Sequence, residues 1–378
     1  MPPLNEPLNI LHITARADTG GGPEVIRQLI AGSPPDLRHY VACPADPPYW
    51  DRWRTLLGAG SLIAIPRRSF HPQVLTSLVR FAGQASIHLI HAHGFGGGLY
   101  ARLLAVWLGR PCLHTFHGYY PRGCSGLIHR GIENLLAPFT TAGIAVSASE
   151  AARIGIGVPL LRGRLSVVPN GVLCPQAPPA RATGGPLRIV AINRLEPQKN
   201  PLALIRVADL CARRMGHAGF QLRIVGDGPL RPAVEAEIRR RGLNSEVRLL
   251  GTLPDCRQEL SVASLFLSTA RWEGMSLALL EAMAHGVIPV VSRVMGNVDV
   301  VEDGVNGVLF APGDLAAAAE SIRLLAQDES RRTRLALQAH AAIARRFPVS
   351  GTIGAYAALY RELTAIEQPA RLSAEVHP

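Results

Sequence analysis

Apolar, β-branched runs alternate with helical patterns twice along this chain, and a segment without periodicity parts the two series. With a length of 378 residues, that pattern predicts an α/β protein of two doubly wound parallel sheets. Each would be Rossmann-like, and the two would face across a cleft that suits a ligand. The first series opens with a strand over 8–14, whose glycine loop Gly20-Gly21-Gly22-Pro23-Glu24 leads into an apolar-periodic helix. Further strands are expected over 87–93, followed by a glycine-rich turn from Gly94 to Gly98, then over 111–116, 143–147 and 165–171. Residues 174–186 are rich in Pro, Ala and Gly and read as a linker. The second series places strands at 187–192, 221–226, 247–251, 265–268, 288–292 and 307–310. Past Pro348 come an amphipathic helix, about 351–366, and a polar tail expected to be disordered. The expected domains are 1–176, 177–348, and a segment 349–378 whose helix packs back toward the first domain.

Composition narrows the function classes. Apolar residues make up 48% of the chain, enough for two cores, yet no run approaches the roughly 18 residues of a membrane span. The segment Met1-Pro2-Pro3-Leu4-Asn5-Glu6-Pro7 lacks the charged and apolar regions of a signal peptide. Cys43, Cys112, Cys124, Cys174, Cys211 and Cys256 are scattered, with no C-x-x-C pair and no His-rich cluster. Reduced thiols in a cytosol, and no zinc site, are the expectation. Net charge is +11; residues 1–180 hold 15 arginines against 8 acidic residues, and the remainder 24 basic against 20 acidic, giving +7 and +4. A basic first half fits an anionic membrane surface or a phosphorylated substrate. Arg67, Arg68 and Phe70, with Tyr119, Tyr120, Arg122 and Arg130, are the residues expected to dock on the inner membrane face. Nucleic acid is not expected, because no reading helix or aromatic platform accompanies the charge.

Of the 39 basic residues only Lys199 is lysine. A chain that otherwise uses arginine points, by this exception, to a place needing a compact ammonium rather than a planar fork. Lys199 follows the strand 187–192 in Asn193-Arg194-Leu195-Glu196-Pro197-Gln198-Lys199 and precedes a helical stretch. Arg194 and Lys199 thus share a strand-to-helix loop, the kind that lines a ligand crevice in parallel sheets, and two cations there suit a diphosphate. The second motif is Glu273-Gly274-Met275-Ser276-Leu277-Ala278-Leu279-Leu280-Glu281. A helix beginning near Gly274 to Ser276 offers backbone N–H groups to an anion. Glu273 and Glu281 stand roughly 12 Å apart along its axis. That span fits a nucleotide sugar, with Glu273 on the sugar hydroxyls, Gly274, Met275 and Ser276 at the diphosphate and Glu281 on the ribose.

With these motifs in order, the chain resembles glycosyltransferase family 4, enzymes of the two-Rossmann GT-B fold. The matching landmarks are Gly21-Gly22-Pro23-Glu24, Thr115-Phe116-His117-Gly118, Val168-Pro169-Asn170-Gly171-Val172, Arg194 with Lys199, Val225-Gly226-Asp227-Gly228-Pro229, Glu273 with Glu281, and Glu302-Asp303-Gly304-Val305-Asn306-Gly307. Met295-Gly296-Asn297-Val298-Asp299 departs from the family's usual double glycine and glutamate.

The resemblance implies a retaining transfer of a sugar from a nucleotide diphosphate sugar without a metal or other cofactor. Arg194 and Lys199 would neutralise the leaving diphosphate, and Gly21 and Gly22 would bring backbone amides to the donor. His117 would contact the donor sugar, and Gly226 and Asp227 would border the nucleotide or simply form a turn. His114 and the Asn170-Gly171 turn read as structural. The first domain would bind the acceptor, a glycan or lipid-linked glycan of cell-surface polysaccharide or lipopolysaccharide synthesis, with Asp18, Tyr119, Tyr120 and Arg122 as candidate contacts. Alternatives are a nucleotide-sugar epimerase, an inverting enzyme using Asp18 as base, or a catalytically silent nucleotide-sugar-binding scaffold.

Overall fold

The computed structural model describes residues 7–67, 70–121, 123–179 and 185–366. The expected tail beyond 366 and part of the expected linker lie outside the described residues. The chain divides into two compact units, one holding the chain up to Val168 and the helix from Ser350, the other Pro169–Val349. The division falls before the expected 176/177 boundary because residues 170–172 are held by the second unit. Val172 bridges Pro348, and the Asn170 amide donates to the Met275 carbonyl at 3.0 Å.

The first unit runs β1 (Leu8–Thr14), α1 (Gly21–Gly32), β2 (Leu37–Cys43), α2 (Tyr49–Leu57), β3 (Leu62–Ala64) and α3 (Pro72–Gln84). It continues with β4 (Leu89–His93), α4 (Gly94–Leu108), β5 (Cys112–Thr115), α5 (Gly123–Leu136), β6 (Ala142–Ala145), α6 (Ala148–Gly157) and β7 (Leu165–Val167). The second holds β8 (Leu187–Ile192), α7 (Pro201–Met215), β9 (Phe220–Val225), α8 (Arg231–Arg240), β10 (Val247–Gly251), α9 (Arg257–Val262) and β11 (Leu265–Ser268). There follow α10 (Leu277–Ala284), β12 (Ile288–Ser292), α11 (Asn297–Val300), β13 (Val308–Phe310), α12 (Leu315–Gln327) and α13 (Glu329–Arg346). The last helix, α14 (Val349–Ile366), packs on the first unit, where Arg361 forks onto Asp36 with two bonds of 2.9 Å.

Both sheets are parallel, ordered β3-β2-β1-β4-β5-β6-β7 and β10-β9-β8-β11-β12-β13. Strand order reverses at β1/β4 in one and at β8/β11 in the other, and ligands of such sheets gather outside the carboxyl ends at those points. Alternation sets which residues are buried where. In the first sheet Leu11, Ile13, Ile90 and Ala92 enter the core beneath α3 and α4, so His12, His91 and His93 take the opposite face. In the second, Ile189, Ala191, Leu222, Ile224, Leu265 and Leu267 share one core with α7 and α12.

Two expectations change. The glycine run Gly94–Gly98 is not a turn but the start of α4, and a Cβ on Gly97 would sit 2.3 Å from the Ile13 carbonyl oxygen. These glycines bring the helix onto the sheet. The strands β2 and β3 were not foreseen: Arg38, His39 and Tyr40 break the apolar run of one, and the other has only three residues.

Candidate functional site

The second unit concentrates its chemistry on the loops leaving β8 and β11, the pair at its switch point. Lys199 and Glu273 form a short ion pair there, with side chains only 15% and 7% exposed. The pair is held by stitching between its two loops. Arg271 N donates to Gln198 O at 2.8 Å, the Gln198 amide donates to Trp272 O at 3.0 Å, and the Thr269 hydroxyl donates to Asn200 O at 3.0 Å. Gly296 presses in from behind: φ is +83°, and a Cβ would lie 2.4 Å from the Gly274 carbonyl oxygen. Arg194 leaves the same loop and meets Glu196 at 3.0 Å. Each expected phosphate-binding cation thus has a carboxylate at hand, which keeps it oriented without an anion present.

Helix α10 starts at Leu277, and Ser276 is its N-cap, its hydroxyl accepting weakly from Leu279 N at 3.4 Å. Gly274 and Met275 are buried ahead of it, and Glu281 is half-buried one turn further on. Gly226 has a structural reason for its identity: φ is +127°, and a Cβ would fall 1.9 Å from Asn193 O. The Asp227 carboxylate accepts from Gly228 N at 2.7 Å and from Arg231 at 3.0 Å, closing its turn.

In the first unit, α1 begins at Gly21 with no side-chain cap, so the amides of Gly21 and Gly22 head an uncapped helix start. A Cβ on Gly22 would stand 3.9 Å from the His117 ring, which puts these two expected donor contacts side by side. His117 has φ +56°, a left-handed conformation uncommon outside glycine. Glu150 holds that bend. It is fully buried, accepts from Tyr119 N at 2.7 Å with one oxygen and from Val146 N at 2.7 Å with the other, and the first oxygen also takes Gly118 N. Ser147-x-x-Glu150 has the form of a helix-start capping box, so a sequence signal for this residue existed.

The candidate acceptor residues separate. Tyr119 is a core residue, 2% exposed and packed with Phe116, Ala145 and Ile154, so it cannot offer itself to an acceptor. Tyr120 carries the Arg153 guanidinium over its ring at 4.4 Å. Arg122 lies outside the described residues, as does Arg68. The Asp18 carboxylate accepts from Arg16 at 2.8 and 2.9 Å and from Arg67 at 2.8 Å. A carboxylate so committed is poorly placed as the base of an inverting reaction, because a base must reach the proton it takes. Arg67 also faces Asp46 at 3.5 Å, and Arg130 donates to Gly157 O at 3.1 Å, so neither is a plain solvent cation.

The expectation of no histidine cluster is wrong in space. His39, His12, His91, His93 and His117 come together on one face of the first sheet. The local signal was the His91/His93 pair two residues apart on β4; the other rings lie one to a strand, or just past its end at His117, and meet through register. His12, His91 and His93 bring one ring nitrogen each within 4.8 Å, the one such metal-ligand group found among the described residues. Both nitrogens of each ring already have protein partners: His12 with His93 and His39, His93 with His12 and His117, His91 with Tyr360 and Thr115. An ion would have to displace them.

This architecture and these loops define a GT-B α/β protein. The first part matches the family model described as Glycosyltransferase Family 4 over residues 19–174, and the second that described as Glycosyl transferases group 1 over 177–341. The chain belongs to glycosyltransferase family 4. It is 28% identical to the UDP-Gal:alpha-D-GlcNAc-diphosphoundecaprenol alpha-1,3-galactosyltransferase of Escherichia coli over 64% of this chain and 67% of that protein. It is 31% identical to the exopolysaccharide phosphotransferase SCO2592 of Streptomyces coelicolor over 56% of this chain but only 22% of that one. The crystal structure of Anabaena Alr3699/HepE in complex with UDP and glucose superposes with a TM-score of 0.81 at 19% identity, covering 94% of this chain and all of that one.

The histidine cluster sets an acid limit on stability. Burial pulls His39 and His117 down to about 4, and His12, His91, His93 and His114 well below the ordinary 6.5. Between those values the unfolded chain binds more protons than the folded one, so stability is full above about 6.5 and falls with acidification by about 1.4 kcal/mol per pH unit for each such ring. Glu237, drawn down to about 2 by Arg240 and Arg241, titrates below this window. Thermal unfolding at pH 7.0 and 5.0 should therefore show a clearly lower midpoint at pH 5.0; an unchanged midpoint would mean that the rings are charged or solvated in the native state.

Proposed function

We propose that this protein is a retaining glycosyltransferase that moves a sugar from a nucleotide diphosphate sugar to a glycan or lipid-linked acceptor in cell-surface polysaccharide synthesis. The observation that carries the reading is the buried Lys199–Glu273 pair at the switch point of the second sheet, beside Arg194. The relatives' names support the substrate class: one uses UDP-Gal and a diphosphoundecaprenol-linked acceptor, and the HepE crystals hold UDP and glucose.

In this mechanism the second unit takes the donor. Arg194 and Lys199 turn toward the diphosphate, the amides at the start of α10 meet its oxygens, and Glu281 accepts from the ribose hydroxyls. Glu273, released from Lys199, accepts from the sugar hydroxyls. In the first unit, Gly21, Gly22 and His117 are the residues that the family resemblance assigns to the donor. The acceptor oxygen bonds to the anomeric carbon on the face the leaving group occupies, the bond from that carbon to the diphosphate oxygen breaks, and its electron pair stays on the phosphate. The acceptor's proton passes to the departing phosphate. Fixed cations at the developing charge supply electrostatic stabilisation, which makes a divalent ion redundant. The epimerase, inverting and scaffold readings have less support, Asp18 being tied to two guanidiniums.

Lys199→Ala, Lys199→Arg and Glu273→Gln should each lower turnover by about 10²–10³, measured with UDP-glucose first among the donors identified by thermal shift. Lys199→Ala strands a buried carboxylate, costing about 3–5 kcal/mol. Adding Glu273→Gln to it should restore the unfolding midpoint without restoring turnover. Wild-type turnover in Lys199→Arg would end the case for a compact ammonium. Activity should also survive saturating EDTA; loss that Mg²⁺ or Mn²⁺ restores would count against the cations as the metal's substitute.

A peripheral membrane site belongs to the same proposal. No helix among the described residues is long and apolar enough to cross a membrane, but α5 exposes Leu127, Ile128 and Leu135 at 69%, 66% and 72%, with Arg130 on the same helix. Apolar side chains beside basic ones suit an anionic leaflet. The protein should float with anionic vesicles at low salt, and Leu127→Glu with Ile128→Glu should abolish flotation; equal flotation of that variant sinks this docking face.

A further inference from the structure

A hydrogen-bonded chain of four imidazoles crosses the first sheet and ends at His117. Its members stand on adjacent strands: His39 on β2, His12 on β1, His93 on β4, and His117 just past β5. The links are Ser33 Oγ to His39 Nε2 at 2.7 Å, His39 Nδ1 to His12 Nε2 at 2.9 Å, His12 Nδ1 to His93 Nε2 at 2.9 Å, and His93 Nδ1 to His117 Nε2 at 3.0 Å. Every ring-to-ring link joins the Nδ1 of one ring to the Nε2 of the next. One end is half-buried Ser33, the other half-buried His117, and His12, His39 and His93 between them are buried. His91 lies alongside, tied to Tyr360 and Thr115, with Thr115 tied to Tyr356. No carboxylate or guanidinium hydrogen-bonds the four rings among the described residues.

A neutral imidazole has one N–H and one bare nitrogen. Four such rings in series have only two fully bonded arrangements, all carrying the proton on Nε2 or all on Nδ1. Any mixture sets two N–H groups or two lone pairs against each other in a buried site, where a lost hydrogen bond is costly. Bonds in such a chain also polarise one another in the same sense. Burial keeps the rings neutral, as this requires.

We propose that this chain is a tautomer relay in which Ser33, His39, His12 and His93 act as positioning residues that fix the proton of His117 on Nε2. His117 then presents a bare Nδ1, an acceptor for a hydroxyl hydrogen. At the surface end this polarity has the Ser33 hydroxyl accept from His39 and keep its own hydrogen for water, an arrangement open to a group that both donates and accepts. The consequence for donor binding rests on the reading of His117 as a donor-sugar contact; the relay itself does not.

The test is ¹⁵N NMR of the full chain with labelled histidine, in which protonated and bare ring nitrogens are distinguished directly. His12, His39, His93 and His117 should all be neutral Nε2–H rings at pH 7.5. Mixed tautomers, Nδ1–H rings or a charged ring would overturn the relay, and this measurement needs no variant. Ser33→Lys, at a half-buried helix end, places a donor-only ammonium against His39 Nε2, so His117, at the other end of the chain, should switch to Nδ1–H. A His117 that keeps its proton on Nε2 in that variant would show tautomers set locally and also overturn the proposal. UDP-glucose added to the wild type reports separately: unmoved His117 signals would remove His117 from the donor site, while the tautomer pattern alone decides the relay.

Discussion

Everything placed at the carboxyl edge of the second sheet depends on keeping Lys199 and Glu273 together with little water around them. Taking either charge from water alone would cost several kcal/mol, and mutual attraction offsets that only when geometry is held. The surroundings hold it. Three hydrogen bonds sew the loop after β8 to the loop after β11, Gly296 supports the second loop from behind, and the buried Asn170 amide fixes the Met275 carbonyl ahead of α10. The switch point supplies the rest, because only there do β8 and β11, far apart in sequence, become neighbours.

The first unit meets the same difficulty, polar groups inside a sheet, with a different solution. Burial favours the neutral form of His39, His12, His93 and His117, which hydrogen-bond one another, and Tyr356 and Tyr360 from α14 complete the set around His91 and Thr115. Buried Glu150, by contrast, is met by backbone amides that fasten the bend at His117. In the proposed mechanism a diphosphate pulls the charge pair apart, whereas a neutral chain has no charge to give up and would respond only by reversing its polarity.

How much of this was legible follows from where each signal lies. The six strands of the second sheet were readable because short apolar runs, such as Leu265-Phe266-Leu267 and Val290-Val291, stand between helical patterns. In the first sheet β2 was hidden, since Arg38, His39 and Tyr40 look polar to a periodicity count although His39 belongs to the histidine row and Tyr40 packs on the core. The glycines of α4 looked like a turn because composition does not distinguish a glycine needed for dihedral freedom from one needed for close approach, as at Gly97. Local motifs put Lys199 and Glu273 on the loops after β8 and β11, where the structure pairs them. The histidine chain could not be announced this way: its members are spread from residue 12 to residue 117 and meet only through parallel register. Tyr119 erred the other way, an aromatic beside a motif that turned out to be core.

The lone lysine gains a physical account from its surroundings. Arginine serves this chain where two or more acceptors can be bridged, as at Asp18, Asp36 and Glu259, each met by a fork of two guanidinium nitrogens. At position 199 the partner is one oxygen of one carboxylate, and the side chain is only 15% exposed on a loop stitched to its neighbour. A guanidinium there would leave several N–H groups buried without acceptors, each a cost of its own. An ammonium concentrates its charge at a single atom on a flexible stem and needs no second acceptor in plane. In the proposed mechanism that same freedom would let it leave Glu273 for a phosphate oxygen by rotating about its side-chain bonds, without moving the loops that carry both residues.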